Sequence, residues 1–379
     1  MCWQPGTAQP LTPYTFTHYN MTKGLVSNEI RSVVQDRTGY LWIASNNGLQ
    51  RYDGVHFKTF QHRDGDTKSL PVNFIWQLLI DDDDNLWVLT SDSQLGLFDK
   101  NKFTYTPVPV KVQRQASLWA NKSLLKDEAG NLFYLLHGNE LLAFDKKKKE
   151  FSPAASFIPL KPEWRVTGMA QQPGTKKYWL GLQSGGVAIY NQATGQLSYP
   201  GNNTAHERAV DSLAGFHGLA QFLFDSKARL WSVTWEGGSI PLTVRYSTQG
   251  RKRNVETYEF ASVLKAYHEV HDFMEQKDGS IWVRGALVLG KFNEATNRFD
   301  FLPSDSRSGL GIVYDQVTGL YEDREKNIWV ATGNYGMYRC NPSQQFFNNV
   351  QHMNKLSKKL GSGGVMSFVE LKNGDILAG

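Results

Sequence analysis

An aromatic residue returns along this chain every 45 to 52 positions. Trp42, Trp87, Phe133, Trp179, Trp231, Trp282 and Trp329 are spaced by 45, 46, 46, 52, 51 and 47 residues. Each ends a similar frame, clearest in Asp36-Arg-Thr-Gly39-Tyr-Leu-Trp42, Asp81-Asp-Asp-Asp84-Asn-Leu-Trp87 and Asp323-Arg-Glu-Lys326-Asn-Ile-Trp329. Self-similarity at this period marks a fold built from stacked supersecondary units.

The first unit shows what one repeat folds into. Residues 30–35 (IRSVVQ) alternate and are rich in β-branched side chains, which predicts a strand. Residues 36–39 form a turn, because Asp accepts bonds from the following backbone and Gly tolerates positive φ. A second strand covers 41–45, Asn46-Asn47-Gly48 turns the chain into a third at 49–52, and Asp53-Gly54 signals a hairpin into a fourth at 56–61. Four short antiparallel strands make a propeller blade, and the second unit repeats the order. The fold class is therefore all-β, a seven-bladed β-propeller of four-stranded antiparallel blades. The seven aromatic residues are structural anchors: burying a Trp of about 200 Å² at ~25 cal/mol/Å² stabilises by up to ~5 kcal/mol.

With 40% hydrophobic and 13% aromatic residues, the chain has ample material for a core without metal or disulfide. The formal charge of +5 is mild for 379 residues, and the basic run at 146–149 sits between two strands as a solvated turn, so nothing points to nucleic acid. Cys2 and Cys340 lie at opposite ends and are expected as free thiols. No apolar run is long enough to span a bilayer and the start does not read as a signal peptide, so the chain is either cytoplasmic or lacks its signal and membrane segments.

A ring must close. The lone strand at 14–19 is expected to complete the last blade, which otherwise has three. After it, 345–350 resembles 14–19, and 369–377 repeats the frame with Leu377 at the anchor position, 48 residues beyond Trp329. The expected division is a leader at 1–13, the propeller at 14–344, and the start of a second propeller at 345–379.

The stretch from Gly24-Leu-Val-Ser-Asn-Glu-Ile30 through Asp36 and Trp42 to Asp53-Gly54 resembles the two-component regulator propeller family. Units one, two and seven match best; Phe133 replaces Trp in unit three, Pro173 and Lys176 stand for Asp and Gly in unit four, and unit five carries an insertion at 236–241. The resemblance implies the periplasmic sensor of a membrane histidine kinase in a hybrid two-component system of Bacteroidetes-like bacteria, often sensing oligosaccharides. It also implies a second propeller, a small β-sandwich, a membrane helix and kinase in the same protein, and a homodimer. Some relatives carry a diguanylate cyclase output instead.

Counting back 14 residues from each anchor gives Asn28, Asn73, Trp119, Arg165, His217, His268 and Asp315, just before each innermost strand. Counting back 11 gives Arg31, Trp76, Lys122, Gly168, Ala220, His271 and Thr318. In a propeller these positions converge on one mouth of the central channel. Aromatic faces with a few donors and acceptors suit a polar ligand such as a sugar, although loops leading into inner strands are polar in any case. No cofactor or metal is expected: residues on separate blades are too far apart for ligand distances near 2 Å, and Asp81-Asp-Asp-Asp84 lacks a calcium loop's spacing. Catalytic motifs are missing, and a channel enzyme would have to rely on Asp315 with His268. The leading expectation is a ligand-sensing module; the alternatives are a protein-interaction scaffold and, behind it, a propeller enzyme acting on polysaccharide.

Overall fold

The computed structural model describes residues 14–113, 122–136, 140–234, 242–248, 255–260, 268–305 and 311–342, with short strands at 353–354, 359–360, 368–370 and 376–378. Seven four-stranded antiparallel sheets follow one another along the chain. Their innermost strands are Ile30–Gln35, Ile75–Ile80, Lys122–Lys126, Val166–Gln171, Ala220–Phe224, Glu269–Glu275 and Val317–Glu322. Blades 1 to 6 each run from inner to outer strand in sequence order. Blade 7 takes its outer strand from the other end of the chain: Thr17–Tyr19 pairs antiparallel with Met337–Cys340, Thr17 opposite Arg339. The rings of His18 and Tyr338 stack across this seam at 4.3 Å.

The core is divided into seven apolar clusters, one at each interface between neighbouring blades. Trp42 packs on Leu78, Phe98 and Tyr105 of blade 2, and Trp329 on Ile43 and Tyr52 of blade 1, so the last interface is built like the first. Every anchor is at most 2% exposed. An aromatic ring fills the space between sheets that splay apart from the channel outward, so the seven anchors are core residues. Cys340 is a buried free thiol, pushed up to about 12 by that burial; Cys2 lies outside the described residues.

Among the described residues no helix is long and apolar enough to cross a membrane. Two hairpins, Met353–Asn354 with Lys359–Leu360 and Phe368–Glu370 with Ile376–Ala378, lie in the region where the repeat frame restarts. A short α-helix, Arg208–Ser212, precedes blade 5; its Ala209 and Val210 pack into the apolar cluster around Trp179.

Candidate functional site

Each inner strand runs from a lead-in loop at one channel mouth to a tight turn at the other. At the turn end, the aspartate that opens the frame holds its own anchor. The indole N–H of Trp42 donates to Asp36, Trp87 to Asp81, Trp231 to Asp225 and Trp329 to Asp323, at 2.7–2.8 Å. Gln276 and Gln172 accept from Trp282 and Trp179 in the same way. The carboxylates also accept turn backbone N–H groups, as Asp36 does from Gly39 and Tyr40. Neighbouring turns are tied together as well: Gln35 accepts from Arg324 N, Gln171 from Glu128 N, Glu275 from Ser226 N and Glu322 from Lys277 N. This mouth is committed to holding the ring.

The lead-in mouth is built differently. The inner strand slips by one residue against the second strand between Ile30 and Ser32, Ile75 and Gln77, Val166 and Gly168, Val270 and Asp272, and Val317 and Gly319; in blade 5 the same one-residue slip is spread over Ala220 to Leu223. The residues on these bulges are Arg31, Trp76, Thr167, His271 and Thr318. A bulge breaks the alternation of faces and re-aims one side chain. Blade 3, which begins at Lys122, has no such slip.

Several bulge residues latch their blade to the next. Trp76 donates its indole N–H to Lys122 O at 3.1 Å, Thr167 its hydroxyl to Leu219 O at 2.6 Å, and Thr318 its hydroxyl to Ile30 O. His271 accepts from Gln316 at 3.4 Å and faces Glu269 at 3.3 Å; burial and then the charge of Arg284 push its pKa below the usual histidine value, against Glu269. Arg31 lies over the rings of Phe74 and Trp76, 5.1 and 5.9 Å from their centroids, with Glu29 at 3.6 Å. Lys122 is buried and donates to Ser91 O and Ser93 Oγ. Burial lowers the pKa of both Arg31 and Lys122, with Glu29 and Asp92 respectively opposing it.

The outer ring of lead-in residues is less uniform. Asn28 accepts from Met21 N, and Asn73 from His62 N, so both spend their side chains on closing loops. Asp315 accepts from Gln316 N and from the amide of Asn334. Arg165 and His217 are exposed at the mouth, whereas His268 is buried. Trp119 lies outside the described residues. Gly168 and Ala220 sit on adjoining inner strands, where a Cβ on Gly168 would come 3.1 Å from Ala220 Cα. Among the described residues, no three His, Cys, Asp or Glu side chains cluster to hold a metal.

Apart from Gly168, the residues that line the cavity among the inner strands were not singled out by counting along the sequence. A cavity of about 110 Å³ is lined by Gln77, Ser123, Gly168, Met169, Gln221 and Asp272, from five successive inner strands. Most stand ten residues before their anchors. Gln77 accepts from Leu124 N and donates to Leu124 O, and Asp272 pairs with Arg284 at 2.8 Å, so much of this lining is occupied with intramolecular bonds. The volume is well below the ~300–1,000 Å³ of ordinary small-molecule sites. This cavity has room for a few waters. Which side chains face the channel is set by strand pairing, in blade 3 without a bulge as in the bulged blades, and does not show in the spacing.

Comparison with known proteins agrees with this architecture. Residues 24–47, 69–92 and 311–334 match the family described as two component regulator propeller. No curated protein matches the chain. Among solved structures, it is similar to the extracellular domain of a putative hybrid two component system from B. thetaiotaomicron, with TM-score 0.69 at 17% identity over 97% of this chain and 47% of that one. The extracellular domain of a second such system from the same organism gives 0.62 at 16% identity over 94% and 46%. The chain thus spans about half the length of these two structures. A catalytically inactive virginiamycin B lyase from Staphylococcus aureus, solved with quinupristin, shares the fold with TM-score 0.58 at 13% identity over 86% of this chain and 99% of that one.

Proposed function

We propose that these regulator repeats form the extracytoplasmic sensing module of a membrane-bound hybrid two-component histidine kinase. It takes a polar ligand, a carbohydrate, at the lead-in mouth and signals through domains beyond this chain. The observation that carries this reading is the contrast between the mouths. The turn end is used up in ring-holding bonds, whereas the lead-in end, besides its own inter-blade bonds, presents half-buried Arg31, Trp76 and His271 over a buried Lys122, beside exposed Arg165 and His217. The repeat match and the likeness to extracellular domains of hybrid two-component systems support the sensor class and a periplasmic placement. A second propeller, a β-sandwich and a homodimeric partner belong to the same proposal. Binding transmits a signal only if it favours one arrangement of those parts over another.

The test is a thermal-shift screen of the whole receptor against oligosaccharides, read beside its signalling output. A true ligand at 100 times its Kd stabilises by about 2.7 kcal/mol. Arg165→Ala and His217→Ala are expected to abolish that shift and the response together. If no sugar shifts the receptor and both variants signal normally, the mouth is not the sensor. The shared fold with a lyase supports a second reading, an enzyme, and turnover of any panel sugar would favour it.

A further inference from the structure

We propose that the mouth between blades 1, 2 and 3 is an anion subsite, and that the ligand is an acidic saccharide bearing carboxylate or sulfate groups. The saccharide half of this statement rests on the sensor reading above; the anion half rests on the charges at this place. Arg31 and Lys122 flank one indole, each with its charged centre 5.9 Å from the centroid of Trp76. Aromatic faces attract cations and make a dry seat for them. Such a seat removes water from the cations, and a charge taken out of water requires a counter-charge or full hydrogen bonding.

Neither cation has that in full. Arg31 is 21% exposed, and its ion-pair partner is Glu29, which is itself 41% exposed at 3.6 Å. Its Nε is buried with no hydrogen-bond partner. Lys122 rests on two neutral oxygens and makes no ion pair among the described residues. The nearby carboxylate of Asp92 is held by Thr90 and Gln94. Arg31 thus has one weakly held, solvent-facing carboxylate, and Lys122 has only the charge of Asp92, felt without an ion-pair contact. An incoming carboxylate or sulfate would take the place of loosely held Glu29 and meet the planar guanidinium fork, which binds both groups through paired hydrogen bonds. The net charge of +5 would favour the approach of such a ligand.

The experiment is titration calorimetry on the full receptor with hexagalacturonate, a sulfated dextran oligosaccharide and neutral maltohexaose. Acidic sugars are expected to bind at least tenfold more tightly than maltohexaose, and to weaken as sodium chloride is raised. Arg31→Gln is expected to weaken acidic binding at least tenfold. Glu29→Gln, which keeps the size of a half-exposed side chain and removes its charge, is expected to tighten it severalfold. Which acidic sugar binds separates carboxylate from sulfate. Equal binding of maltohexaose, or acidic binding that both variants leave unchanged, overturns the anion subsite while the sensor reading stands. If no sugar binds, the saccharide half fails and inorganic sulfate decides the rest. A thermal shift by sulfate that Arg31→Gln loses keeps the anion subsite, and the same shift in both proteins removes it.

Discussion

At the scale of single residues, the aspartate of the repeat frame matters as much as the aromatic it precedes. Blade 3 shows how the pair is preserved when half of it changes. Phe133 has no N–H to offer Asp127, and the hydroxyl of Tyr178, from blade 4, donates to that carboxylate at 2.9 Å instead. The carboxylate lowers the tendency of Tyr178 to ionise, second to burial itself. Tyr178→Phe is therefore expected to cost about 1–3 kcal/mol, because Asp127 is 7% exposed and keeps only Asn131 and turn N–H groups. Chemical denaturation measures the loss. The turn role of the aspartate was legible from Asp-x-x-Gly, since that bonding is local. Its grip on the indole six residues later was not, because only strand pairing brings the two together.

At the scale of the strand, the repeat frame located every blade, and the lengths of the inner strands follow its alternation. What it could not show was register. A bulge adds one residue to one strand of a pair, and its effect depends on the partner strand rather than on the sequence that carries it. Blade 4 illustrates the limit: Gln172, seven residues before Trp179, takes the place that an aspartate six residues back holds in blades 1, 2, 5 and 7. Glycines mark where the bulged strand passes closest to its neighbour. A Cβ on Gly285 would lie 1.7 Å from Glu269 O, across the bulge that presents His271. Gly285→Ala is expected to destabilise by about 3 kcal/mol or more and to displace His271. A lowered melting temperature, with a changed His271 titration followed by NMR, would check both effects.

At the scale of the whole molecule, seven similar interfaces close into a ring, and one of them joins residues 288 and 289 positions apart. Thr318 bonds to Ile30, and Arg324 to Gln35, in the pattern used between sequential blades. Removing residues 1–19 takes away the outer strand of blade 7 and the buried ring of Phe16. The expected result is a melting temperature lower by about 5–10 °C, with amide protection lost first at Met337–Cys340. Hydrogen exchange resolved by peptide would show whether the loss begins in that blade. The ring was readable from the spacing of the anchors alone. The residues facing the channel were not, because they are set by where seven strand ends meet.

The seam in blade 7 also has a mechanical consequence. Thr17 lies opposite Arg339 and Tyr19 opposite Met337, so chain entering at Thr17 and chain leaving after Cys340 pass the ring side by side. Tension between those two segments would load the Thr17–Arg339 pair first and part the seam one rung at a time, as a zip opens. The other six blades, each continuous in the chain, would bear almost none of that load.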